Sequence, residues 1–387
     1  MPYSSLLRRA RQVTECIAAH ASQLDQSGGF PREEFRWLQE AGLLTVPLTA
    51  ERGGAGLGTD PATTPTLLQL LSIIGRGNLS VGRLYEGHVN ALQLAHRFGT
   101  EEQQSRFAQD TRGGRLFAVW NTQAGDGIKL EPLPHGGARL HGSKTFCSGA
   151  GEVQRPLITG AWQDSSPQSG GWQMLIVPME AAQVEIDRSF WQPLGMRASC
   201  SYKVDFSGVE VGPEWLVGAS GDYYRQPAFS GGAIRFCAVQ LGGAQALLAA
   251  TLDYLRELKR TSDAFQQARV GLMVAKIESC EAVLERAARL WDSSPEAAQM
   301  VAYAALCRLV TEETCNEVLE LSERSVGARG LLRPHPIERI GRDLTLYLKQ
   351  PHLDEIPGRV GRYALEHPSP IDELWRSGTA EEEEMCQ

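Results

Sequence analysis

Residues 116–150 read LFAVWNTQAGDGIKLEPLPHGGARLHGSKTFCSGA, and the fold turns on this stretch. Residues 116–120 form a short apolar run in which Phe117, Val119 and Trp120 favour a strand. Residues 121–127, NTQAGDG, are a polar, glycine-containing loop that a strand does not carry through. Residues 138–140 and 145–147 predict two strands flanking a turn at His141-Gly142. A strand that ends in a small-residue loop, followed by strands meeting at a second small-residue tip, lets backbone N–H groups approach a flat ligand. The residues alone predict a loop-rich β segment with a seat for an anion or a cofactor.

The surrounding chain of 387 residues is 42% hydrophobic and 22% charged, ordinary values for a globular protein. That length carries two or three domains or one large fused unit. A formal net charge of −8 without a basic stripe points away from nucleic acid. No apolar run is expected to span a bilayer, and the opening MPYSSLLRRARQ has no signal-type apolar region. A cytoplasmic enzyme is the expectation. The 8 cysteines are scattered without CxxC pairs or metal-ligand spacing, so no metal centre is expected. Cys237, Cys280 and Cys307 fall within helical patterns, where reduced core thiols are expected.

On the N-terminal side, residues 4–24 set Leu7, Val13, Ile17 and Leu24 at helical spacing until Gly28-Gly29. Pro31, Glu33 and Glu34 open the next helix, and residues 64–75 and 81–98 read as two more. On the C-terminal side, β alternation continues to about residue 220. Long amphipathic helices then follow at 245–260, 270–291, 296–325 and around 340–348. After Asp354, prolines interrupt the chain, and the final GTAEEEEMCQ is expected to be poorly ordered. The reading is an α+β multidomain chain. It comprises an N-terminal α-helical domain (1–115), a barrel- or sandwich-like middle β-domain (116–220), a C-terminal four-helix bundle (221–355) and a partly disordered tail (356–387).

The quoted stretch resembles the acyl-CoA dehydrogenase flavoproteins. Phe117-Ala118-Val119-Trp120-Asn121-Thr122-Gln123-Ala124-Gly125-Asp126 stands where that family has C-V-T-E-P-G-A-G-S-D. His141-Gly142-Ser143-Lys144-Thr145-Phe146-Cys147-Ser148-Gly149-Ala150 stands where it has N-G-x-K-x-W-I-T-N-G. The G-F-P start at Gly29, the GGAGLG run at 53–58, Gly99-Thr100-Glu101-Glu102-Gln103 and Leu194-Gly195-Met196-Arg197-Ala198-Ser199 extend the resemblance from Gly29 to Asp343. It implies an acyl-CoA dehydrogenase-like fold, FAD as cofactor, a CoA- or carrier-bound acyl thioester or other small molecule as substrate, and a homo-oligomer, dimer or tetramer. It also implies a flavin seat at Phe117, Val119, Trp120, Asn121 and Gly125 and at Phe146, Cys147 and Ser148. The seat is edited: Trp120 replaces a threonine that bonds the pyrimidine edge, and Phe146-Cys147-Ser148 replaces W-I-T. Phe146 can still cover a ring face and Ser148 can still donate a hydrogen bond. An R-x-x-F-G phrase that reaches a partner's FAD has its nearest counterpart in Arg260 and Phe265. The diphosphate turn G-G-N-G is matched by Gly327-Ala328-Arg329-Gly330, where Arg329 would meet a phosphate or cap the preceding helix. Arg197 reads as the anchor of its turn rather than a phosphate ligand.

The largest departure concerns the catalytic base. The family's usual glutamate position is Pro351, and its alternative position, within residues 229–235, holds no carboxylate. Asp354 and Glu355, beside His352, are candidates for a relocated base, or simply exposed loop polars. His335, in the RPHPIERIGRD phrase at 333–343, matches a region where related flavin monooxygenases carry a functional histidine, or it sits in a polar loop before a helix. Tyr85-Glu86-Gly87-His88 could line a substrate cavity or form one polar helix turn, and receives no role. Three readings remain open. One is an FAD-dependent oxidoreductase acting on the CH–CH group of an acyl thioester. The second is a flavin-dependent monooxygenase of the same fold, and the third a non-catalytic flavin- or acyl-binding relative.

Overall fold

The computed structural model describes residues 3–125, 127–163, 171–293, 296–368 and 370–376. The chain opens with five helices: α1 (Ser4–Ser27), α2 (Arg32–Glu40), α3 (Thr64–Gly77), α4 (Leu79–Phe98) and α5 (Glu101–Arg112). Helix α1 buries Leu7, Ala10, Ile17, Ala21 and Leu24 on one face and stops at Gly28, whose φ of 63° few other residues adopt. Helix α4 starts where the Asn78 side chain accepts N–H bonds from Ser80 and Val81 at 2.8 and 3.1 Å. At α5, Thr100 and Gln103 form a reciprocal capping box.

Among the described residues ten short strands follow: β1 (Phe117–Trp120), β2 (Ile128–Pro132), β3 (Ala138–His141), β4 (Ser143–Cys147), β5 (Arg155–Trp162), β6 (Trp172–Ile176), β7 (Glu185–Asp187), β8 (Tyr202–Asp205), β9 (Glu210–Val211) and β10 (Leu216–Val217). The larger sheet runs β10-β6-β5-β2-β3-β9, with β1 also paired to β5; the smaller is β4-β8-β7. Both β1 and β2 lie parallel to β5, with Trp120 opposite Ile158 and Ile128 opposite Gly160. The loop between them is therefore extruded from the middle of one strand edge. The expected hairpin across His141-Gly142 does not form. Strands β3 and β4 belong to different sheets, and Gly142 is the corner between them. Its φ is 116°, and a Cβ there would stand 2.8 Å from the Gly127 carbonyl oxygen, so only glycine makes this bend.

The sheets are tied to the first helices by a buried charge. Arg155, 2% exposed, donates to Asp110 at 2.6 Å and to Glu180 at 2.7 Å.

The last helices are α6 (Ala228–Glu257), α7 (Ala264–Ser293), α8 (Ala297–Val326), α9 (Pro336–Tyr347) and α10 (Ile356–Glu366). Helix α6 begins well before the predicted residue 245. It is long and apolar enough to cross a bilayer, contrary to the sequence expectation, yet most of that segment is buried inside the protein. It packs chiefly on α3 and α8. A Cβ at Gly242 would stand 2.3 Å from the Ser72 carbonyl oxygen, and one at Gly75 2.4 Å from that of Val239. The glycines let the two helix backbones touch. Cys237, Cys280 and Cys307 are buried free thiols of this core, as their spacing predicts. Helix α9 clasps the turn at 194–199, where the buried Asp343 carboxylate accepts from the Met196 N–H at 2.5 Å. Within the tail expected to be interrupted by prolines and partly disordered, residues 356–366 form a helix packed on α8; the run at 378–387, expected to be poorly ordered, lies outside the described residues.

Candidate active site

Two structures meet around the end of β1, one flat and aromatic, one deep and polar. The flat one is built by Phe146. Its backbone is left-handed at φ 53°, which throws the ring outward from β4, 50% exposed. Phe190 and Trp191 meet it edge-on at centroid distances of 5.3 and 6.0 Å. Such a backbone is strained for a bulky residue and persists when its surroundings fix it. Here they do: Ser148 N–H donates to the Phe146 carbonyl at 2.9 Å, and Gly149 N–H to Ser199 at 2.8 Å. Ser148 Oγ lies 2.8 Å from Ser201 Oγ, which is 2.8 Å from Ser199 Oγ.

The loop after β1 is held from below. Lys144, fully buried, donates to Gln123 at 2.6 Å, Thr159 at 3.1 Å and the Asn121 carbonyl at 3.4 Å. All three are neutral, so burial without a counter-charge brings the amine down to about 7. Above it, Asn121 donates to the Tyr224 hydroxyl at 3.0 Å.

The remaining expected seat residues divide. Phe117 points into the core against Phe107 and His88, and Cys147 is likewise buried, so neither side chain reaches a ligand on this surface. Trp120 does not replace the family's threonine as a donor. Its indole N–H is spent on the Ser148 carbonyl at 2.9 Å, tying the two segments together from inside. Val119 packs partly buried beside the core, and Gly125 is exposed at φ 57°. Arg260 pairs with Asp263 at 2.7 Å, and Phe265 is 77% exposed. The Gln266 amide bonds the Ser325 carbonyl at 3.3 Å, bringing that end of α7 beside the turn of Gly327, Ala328 and Arg329, all exposed.

The proposed bases are not where a shielded base must be. Asp354 and Glu355 lie on an exposed turn, and hydrogen bonds from Arg359 and His352 hold the Glu355 carboxyl below its usual range. His335 caps α9: its Nδ1 accepts from the Ile337 N–H at 3.2 Å, and its ring packs edge-on to Tyr254. Pro351 offers only its carbonyl, bonded by Arg308 at 2.6 Å.

The deep polar structure went unassigned in the sequence. Arg83, Glu86 and Asn90 recur at i, i+3 and i+7, one face of α4. Glu86 accepts from both Arg83 and Asn90, and Asn90 accepts from Arg235 on α6. Tyr347 of α9 adds a hydroxyl that has no hydrogen-bond partner among the described residues. The visible signal was a polar stripe within an otherwise apolar helix. Its neighbours Tyr85 and His88 face the opposite way and are structural. Tyr85 donates to the Leu43 carbonyl at 2.7 Å. His88 accepts the Phe117 N–H at Nδ1 (3.1 Å), which assigns Nε2 as donor to the Leu44 carbonyl at 2.9 Å; burial lowers its pKa to about 4.

Comparison with known proteins agrees with this architecture. The family model for the acyl-CoA dehydrogenase N-terminal domain matches residues 5–114, and that for the C-terminal domain matches residues 234–350. Dibenzothiophene monooxygenase of Rhodococcus erythropolis is 27% identical, covering 94% of this chain and 93% of that protein. A probable acyl-CoA dehydrogenase of Bacillus subtilis, YngJ, is 26% identical over 85% of this chain and 88% of its own. TdsC from Paenibacillus sp. A11-2, solved with FMN and with FMN and indole, superposes with a TM-score of 0.85 at 24% identity, covering 95% of this chain and 99% of TdsC. Helices before and after a β layer, the two matched halves and these near full-length relatives agree: the chain belongs to the acyl-CoA dehydrogenase family.

Proposed function

We propose that this protein is a flavin-dependent monooxygenase. One oxygen atom of O₂ enters a small organic substrate, the other leaves as water, and a reduced flavin supplies the two electrons. The observation that carries this reading is the missing base. A dehydrogenase must take a proton from the carbon α to a thioester with a carboxylate shielded from water. Residue 351 is proline, residues 229–235 hold no carboxylate, and Asp354 and Glu355 are exposed. Glu86 is buried, but its carboxylate oxygens are already occupied by hydrogen bonds from Arg83 and Asn90. Near full-length similarity to a dibenzothiophene monooxygenase supports the same reading.

The residues fit a flavin. The outward Phe146 ring offers a stacking face and the partly exposed Asn121 a polar group on the neighbouring loop, while the buried Ser148 hydroxyl steadies the turn against Ser201. Trp120 and Lys144 hold the two segments from beneath. The exposed apolar end of the bundle, with Phe265, Leu331 and Leu332, supports a homo-oligomer in which a second copy covers it.

The test supplies reduced FMN or FAD with ¹⁸O₂ and indole as first probe, and compares anaerobic addition of acyl-CoAs to the flavin-loaded protein. Incorporation of one labelled oxygen, with no bleaching by acyl-CoAs, is expected. Bleaching by an acyl-CoA would establish the dehydrogenase instead. If neither flavin binds, the non-catalytic reading stands. Phe146→Ala should weaken flavin binding by about tenfold, roughly the upper end of an aromatic contact.

A further inference from the structure

The polar stripe of α4 contains one charge that the protein leaves open. Arg83 and Arg235 bring two positive charges and Glu86 one negative, an excess of one cation in the interior. Glu86 is satisfied by Arg83 and Asn90. Arg235 receives no such answer: its Nε donates to the neutral Asn90 side chain. Its terminal nitrogens make no hydrogen bond within the described residues, and no carboxylate pairs with it there. Burial lowers its pKa to about 10, so it stays charged near neutral pH. Arg235 is partly buried, and a half-desolvated guanidinium whose terminal nitrogens lack a protein acceptor is suited to face an anion.

The site is also open. Arg83 is partly buried, with 29% of its side chain accessible, so solvent-sized space lies beside it. The Tyr347 hydroxyl, in a residue 4% exposed, has no partner and lies in the electrostatic field of Glu86 and Arg83. An unsatisfied buried hydroxyl in the field of Arg83 is free to donate to an oxygen ligand. Two tyrosines lead from this cluster to the loop after β1. Tyr223 lies in the field of Arg83, Glu86 and Arg235. Its ring meets Tyr224 at 4.9 Å, and Tyr224 accepts from Asn121.

We propose that the space between α4, α6 and α9 receives the carboxylate of a small organic acid, gripped by the terminal nitrogens of Arg235 and by Tyr347. A planar guanidinium presents two parallel N–H groups, which match a carboxylate bidentately. The excess of one positive charge matches a monoanion. Glu86 positions Arg83 and Asn90 and limits the site to one anion. The carbon skeleton lies along Tyr223 and Tyr224 towards the Phe146 surface. This names the substrate class of the monooxygenase reading and rests on it only for the chemistry; the anion site itself needs neither flavin nor oxygen.

The experiment is calorimetry on the full chain, with and without FMN, using matched pairs: benzoate against benzamide and hexanoate against hexanamide. In at least one pair the acid should bind tenfold or more tightly than the amide. Arg235→Met should erase that difference and leave amide binding unchanged. Glu86→Gln, which keeps the shape and removes the opposing charge, should tighten acid binding severalfold. If no pair discriminates, or if Glu86→Gln weakens the acid, the proposal is overturned, also in the case that Arg235→Met does not fold. Failure of oxygen transfer with the anion site intact would overturn only the monooxygenase reading.

Discussion

Arg155 is fully buried and Arg235 partly so, and the two arginines are treated in opposite ways. Arg155 sits at the start of β5 with Asp110 and Glu180 on its nitrogens and the Gln154 carbonyl at 2.9 Å. Its charge is cancelled where it stands, and the result joins sheet to helix. Arg235 has only an amide. One arrangement closes on itself and serves the fold; the other leaves an electrostatic vacancy that only a second molecule fills. Burial alone does not distinguish a structural charge from a functional one. The partner does.

The sharpest way to break this contrast is to delete each cation. Arg155→Met removes the buried cation between Asp110 and Glu180, leaving Asp110 with Arg115 alone, and should cost about 3 kcal/mol in a denaturant titration. Arg235→Met should stay within about 1 kcal/mol of wild type, because losing a bond to Asn90 is offset by removing an unpaired charge. Equal losses would erase the distinction. Lys144 sharpens it differently, as a buried cation that sheds its charge. Its folded pKa, about 7, lies below the unfolded value of about 10.4. The unfolded chain therefore holds more protons between these values. Its contribution to stability should rise with pH across that window, by about 1 kcal/mol per unit. The difference in stability between wild type and Lys144→Met, measured from pH 7 to 10, should carry that slope.

His88 supplies the acid-side counterpart. With its folded pKa near 4 against about 6.5 unfolded, its contribution is present above pH 6.5. That contribution is lost as pH falls towards 4, about 3 kcal/mol in total. His88→Gln should flatten that limb. The smallest effect sets the baseline: Glu40→Ala, removing an exposed partner of Arg36, should change stability by less than about 0.5 kcal/mol.

Much of the fold was legible because periodicity and glycine carry backbone information. The helices of the bundle, the strand at 117–120 and the close packing at Gly242 all follow from local pattern. Gly142 was legible as a break but not as a change of sheet, since a hairpin turn and a corner demand the same residue. Helix α6 was read short because Gly231 and Gly232 weaken helix propensity at its start; packing against the rest of the core overrides that. At the site, Phe146 and Ser148 stood out by resemblance. Trp120 did not reveal that its N–H turns inward, because a motif gives a position and not a direction. Arg235 was passed over for a similar reason. A search for carboxylates at 229–235 registers what is missing, whereas the unpaired cation becomes visible only once its neighbours are in space.

The backbone contact between Gly75 and Val239 and between Gly242 and Ser72 has a consequence for modularity. The two halves recognised by separate family models are interlocked at the level of the main chain, so neither can be exchanged as a cassette. A chimera that joins the first 227 residues to another relative's bundle inherits a furrow cut to fit one particular ridge. Unless the donor brings small residues at the same height, the halves stand apart by the width of a side chain. The sheet and the cavity, supported from both, then lose their common frame.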